Sequence, residues 1–77
     1  MSGLIKQIKS WRRERGNITS PALHDKKSYM AFKKALTRAW ISADYNDSQL
    51  VIRIPYDIST PAGKSNNEKL EKLGIME

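Results

Sequence analysis

Apolar residues in the first part of the chain recur at helical spacing. Leu4, Ile5, Ile8 and Trp11 fall within about 120° on a helical projection, with Lys6, Lys9 and Arg13 on the opposite side. This predicts a helix over 3–15, ended by Gly16 and Asn17. A second helix is expected to start at Ser20, which Pro21 follows, or at Asp25; both are good N-cap residues. From Lys26 the period is clear. Tyr29, Phe32, Ala35, Leu36, Ala39 and Trp40 share one face, and Lys27, Lys34 and Arg38 share the far side. Lys26 and Lys33 border the aromatic face, where their stems can cover apolar surface.

After Trp40 the pattern switches to period two. Ile41, Ala43 and Tyr45 alternate with Ser42 and Asp44, and beyond the turn signal "NDS" Leu50, Ile52, Ile54 and Tyr56 alternate with Val51, Arg53 and Pro55. That predicts a β-hairpin of about 40–45 and 49–56, with Pro55 at a strand end or on an edge. The competing reading extends the second helix through Asp44 and leaves a single strand. Residues 57–65, "DISTPAGKS", read as a loop. A capping box from Ser65 to Glu68 and a stop at Gly74 define a short last helix, whose apolar edge is only Leu70 and Leu73.

These elements predict one small α+β domain. Two amphipathic helices cover one face of a hairpin, in the order α-α-β-β-α, with the last helix peripheral. The division is a compact basic domain over 1–60 and a polar linker with a short helix over 61–77. The element order resembles that of a winged helix-turn-helix domain. Such a mapping turns Lys26, Lys27, Ser28, Lys33, Lys34 and Arg38 toward DNA. Against it, "SPALHD" makes a very short middle helix, and Asp44 and Asp47 give an acidic wing tip.

With 77 residues the chain buries roughly 60% of its unfolded surface, enough for one modest core. It has no cysteine, which excludes disulfides, thiolate metal ligands and Cys nucleophiles and points to a reducing cytoplasm. No apolar run approaches a membrane span, Met1–Ile8 has no signal-peptide core, and Ser2 breaks the myristoylation pattern.

Charge adds the most. Residues 1–40 carry ten Lys and Arg against Glu14 and Asp25, whereas residues 41–77 carry four against six acids. A basic first half implies an anionic partner. The stripes Lys6, Lys9, Arg13 and Lys27, Lys34, Arg38 hold no acid, and Arg12 and Arg15 extend the first at "SWRRERG". Like charges at this spacing repel, and phosphates are the commonest group to offset them. These eight residues are the candidate binding set.

Other motifs reduce to structure. "GKS" at 63–65 lacks the P-loop glycine, since Ile58 stands five residues before Gly63. His24 has no metal-ligand spacing or oriented nucleophile beside it. Trp11, Tyr29, Phe32 and Trp40 lie on faces that must form the core, while Tyr45 and Tyr56 are open to either role.

The expectation is therefore a non-enzymatic, cofactor-free cytoplasmic protein. It binds nucleic acid, DNA rather than RNA, through its first two helices, as a regulator of transcription or replication. The alternative is a small phage- or plasmid-type inhibitor or adaptor that occupies a larger protein's acidic surface. An exposed hairpin edge offers a route to a homodimer.

Overall fold

Two hairpins, not one, build the sheet. The computed structural model describes residues 3–75; Ser2 of the acylation pattern and the last two residues of the C-terminal segment lie outside them. The chain runs through α1 (Gly3–Lys6), a 3-10 turn (Gln7–Ser10), β1 (Arg12–Glu14), β2 (Asn17–Thr19), α2 (Lys26–Arg38), β3 (Asp44–Asn46), β4 (Val51–Pro55) and α3 (Pro61–Lys72). The strands form one antiparallel sheet in the order β1-β2-β4-β3.

The helix expected over 3–15 ends early. Helix and 3-10 turn stop at Ser10, and the rest of "SWRRERG" leads through Trp11 into a strand and its turn. Arg12 pairs with Thr19, Arg13 with Ile18 and Glu14 with Asn17. Arg15 (φ 50°) and Gly16 (φ 78°) close this hairpin, both with the positive φ that a type I′ turn requires. Ile18 explains the outcome. It is fully buried between Arg13 and Ile54 in the sheet, and only an extended 17–19 places it there.

Ser20 does not cap α2. Its N–H donates to the Ile52 carbonyl (2.8 Å) and its Oγ accepts from the Ile52 N–H (2.8 Å), which prolongs the β2–β4 ladder. Asp25 is the cap, its carboxylate accepting from the Lys27 N–H at 3.0 Å. The predicted second helix holds over Lys26–Arg38, but the predicted hairpin shortens to 44–46 and 51–55. Residues 41–43 are not strand; at Ser42 the side chain of Asn66 takes both backbone polar groups instead of a partner strand. Its Oδ1 accepts from Ser42 N–H (2.9 Å), and its Nδ2 donates to the carbonyls of Ser42 (2.7 Å) and Pro55 (2.8 Å).

One core results. Ile5, Ile8 and Trp11 from the N-terminal segment, Tyr29, Phe32 and Leu36 from α2, and Ile18, Ile52 and Ile54 from the sheet are all buried. Trp11 packs on Phe32 at 4.9 Å between ring centroids. The last helix begins at Thr60–Pro61 rather than Ser65; Leu70 joins it to this core, and Ile75, beyond its end, is buried there too. The arrangement is therefore three helical segments against one face of a four-stranded sheet. The expectation of two helices on one hairpin and the winged-helix order both omitted β1 and β2. The helices pack on the face carrying Ile18, Ile52 and Ile54, and the other carries the row Arg12, Thr19, Arg53 and Asp44.

Candidate nucleic-acid interface

The period of α2 separates its two sides. Tyr29, Phe32 and Leu36 are buried, and Lys27, Lys34 and Arg38 are exposed on the opposite side. Met30, Lys33, Lys34, Thr37 and Arg38 line a shallow groove of about 400 Å³ along this exposed side. Lys33 leans across the groove wall, its Nζ 5.0 Å from the centroid of the Tyr45 ring. Among the described residues Lys27, Lys34 and Arg38 have no acid within ion-pair distance, and the one ion pair is Arg12 Nε with Glu14 Oε2, at 3.4 Å.

The other predicted cations do not join that row. Lys6 and Lys9 are exposed on the N-terminal segment. Because 12–14 is a strand, Arg12 and Arg13 point to opposite faces of the sheet. Arg12 stands in the open-face row and pairs with Glu14. Arg13 stays on the helix side, where its Nη2 donates to the Ile75 carbonyl at 2.7 Å. Arg15 lies in the hairpin turn, lining a polar depression of about 210 Å³ with Glu14, Asn17, Thr19 and Arg53. The structure thus divides the eight cations between the outer side of α2, the N-terminal segment, the sheet's open face and a tether to the chain's end.

The α2 face is buttressed by Tyr29, whose O–H donates to the Asp47 carboxylate in the β3–β4 turn. Burial first, and then this bond, push the Tyr29 phenol up to about 12. Burial likewise raises the phenol of Tyr45. Asp57 lies well away in chemistry. The N–H and hydroxyl of Ser59 hold its carboxyl below the usual carboxylate value.

The aromatic side chains divide unexpectedly. Trp11, Tyr29 and Phe32 are core, but Trp40 is 79% exposed. Helix α2 closes in a Schellman motif. The Ile41 N–H donates to the Leu36 carbonyl (3.0 Å) and the Trp40 N–H to the Thr37 carbonyl (3.1 Å). Trp40 therefore sits in the left-handed region (φ 61°), and its carbonyl accepts from Lys69 Nζ at 2.6 Å. Beside it Ala39, Lys69, Lys72 and Leu73 line an apolar hollow of about 200 Å³. Periodicity had put Trp40 on the buried face; the helix ends two residues before it, so the period no longer applies.

Gly63 of "GKS" lies within α3, where a Cβ would overlap the Asp57 carbonyl oxygen and lie 2.7 Å from the Asp57 nitrogen. The glycine serves close packing and not a phosphate loop. His24 is exposed, and the described residues contain no group of three His, Cys, Asp or Glu able to hold a metal. No helix of the described residues is long and apolar enough to cross a membrane. No family model, curated protein or solved structure matches the chain.

Proposed function

We propose that this is a small non-catalytic protein that binds nucleic acid through the outward side of α2. Lys27, Lys34 and Arg38 contact phosphates, and the groove beside them seats the backbone. One observation carries the reading: three cations share one exposed helix side, with no acid paired to them among the described residues, on a chain of net charge +6. The cysteine-free composition suits the cytoplasm.

The test is a salt series with labelled DNA and RNA. Three phosphate contacts give a slope of log K against log salt near −2.7 on duplex DNA, from about −0.9 per contact. Replacing Lys27, Lys34 and Arg38 by alanine together should flatten that slope, and absence of binding at low salt ends the proposal.

A second reading, an inhibitor or adaptor on a protein surface, rests on β3. Among the described residues that strand pairs only with β4, which leaves its outer edge open to a partner strand. A stoichiometric protein recovered from nuclease-treated lysate at moderate salt, and lost when β3 is blocked by proline, favours it.

A further inference from the structure

Trp40 costs the fold something and gives its core little. A non-glycine residue in the left-handed region is strained, and this C′ position ordinarily takes glycine. Its side chain is the most exposed of the large hydrophobic residues described. Yet its backbone is fixed on both sides, by the helix-ending hydrogen bonds and by Lys69 Nζ on its carbonyl. An indole presented to solvent from a fixed backbone is a contact surface for a flat partner.

Its surroundings select that partner. The cationic row of α2 runs from Lys34 to Arg38 and ends two residues before Trp40. Lys69 and Lys72 line the hollow with Ala39, the residue before Trp40, and among the described residues no acid lines either the groove or the hollow. Cations flanking one exposed aromatic ring match a chain that alternates phosphates with flat bases. In a duplex the bases are already stacked on each other and present no free face.

We propose that Trp40 is a base-stacking platform and that the ligand of this face is single-stranded nucleic acid, with Arg38 and Lys72 on the phosphates that flank the stacked base. The inference rests on the nucleic-acid reading of α2 and narrows it to unpaired strands.

The experiment compares labelled short oligo(dT) with a short duplex at low ionic strength, using the full chain and its Trp40→Gly and Trp40→Phe variants. Glycine suits the backbone at this position, so Trp40→Gly is expected to fold. Oligo(dT) should bind more tightly than duplex and quench tryptophan emission, since Trp11 is buried and shielded. Trp40→Gly should weaken oligo(dT) binding roughly 5- to 100-fold and leave duplex binding unchanged, with Trp40→Phe recovering part of the loss. Oligo(dT) affinity that Trp40→Gly leaves unchanged overturns the stacking role while the α2 reading stands. An equal loss for oligo(dT) and duplex does the same. Failure of the full chain to bind either probe removes both. A blue shift of Trp40 emission on phosphatidylserine vesicles but not with oligo(dT) assigns the patch to lipid and overturns the inference.

Discussion

Arg13 and Ile75 lie sixty-two residues apart in sequence, and the Arg13 guanidinium donates to the Ile75 carbonyl at 2.7 Å. The contact ties the first hairpin to the end of the last helix. Ile75 is itself buried, so the bond also holds an apolar side chain in the core. It gives the Arg13 guanidinium a partner within the protein, where its position in a basic run suggested a phosphate contact.

Arg13→Ala should therefore act on stability and not on nucleic-acid binding. A hydrogen bond from a charged donor contributes about 1–2 kcal/mol at a partly buried site. Urea unfolding should show a loss of that size, with Arg13→Lys intermediate. The salt dependence of oligonucleotide binding should keep its slope; a slope shallower by about one unit would return Arg13 to the interface.

Gly63 offers a reversal of an ordinary rule. In an exposed helix Gly→Ala stabilises by about 1 kcal/mol. Here a Cβ would collide with the Asp57 backbone, which cannot yield as a flexible side chain would. Thr60 Oγ1 accepts from the Gly63 N–H at 3.1 Å and donates to the Asp57 carbonyl at 3.0 Å, so the helix start and that backbone are locked together. Gly63→Ala should destabilise by roughly 2 kcal/mol or more, read as a lower midpoint in thermal unfolding. The neighbouring Lys64→Ala should change little, since Lys64 is exposed. A stabilised Gly63→Ala would mean that α3 does not start where it is placed.

Trp40→Gly should raise stability while Trp40→Ala does not. Relief of the left-handed strain contributes about 1 kcal/mol, and the exposed ring surrenders little buried area. For a domain of this size that corresponds to a Tm increase of roughly 4–8 °C. A fall in Tm would show that the indole packs against the hollow formed with Leu73.

These residues also mark what the amino-acid pattern can reveal. Helix α2 was legible because its cap, Asp25, and its period agree, and the cations on its outer side were legible with it. Strand β4 was legible from its β-branched alternation. The N-terminal reading failed at Trp11, where a genuine helical stripe runs on into a strand without a break in polarity. Arg12 and Arg13 fit either period, and the deciding term is Ile18, whose burial depends on Ile54 far along the chain. The start of α3 was hidden for a similar reason. Gly63 and Ser65 look like loop residues locally, and the glycine is explained only by Asp57 pressing against it. The α2 part of the candidate site was therefore readable from local period. Trp40 beside Lys69 and Lys72 was not, because a chain reversal and a tertiary contact create that patch.

Tyr29 makes the fold sensitive to alkali in a way that can be isolated. Its folded pKa is raised from 10.0 to about 12, chiefly by burial and then by its bond to Asp47. A raised folded value means that the native state holds this proton more tightly than the unfolded chain. The contribution is thus complete below pH 10 and is lost as pH climbs from about 10 to about 12. Other changes accompany a rise to pH 12, so the wild type alone does not resolve it. Tyr29→Phe removes the phenol and keeps the ring in the core. The stability difference between wild type and Tyr29→Phe, from urea midpoints at each pH, should be constant up to about pH 10. Above that it should move steadily in favour of the variant. A difference that stays level through pH 12 would mean that the Tyr29 hydroxyl reaches water and does not donate to Asp47 in solution.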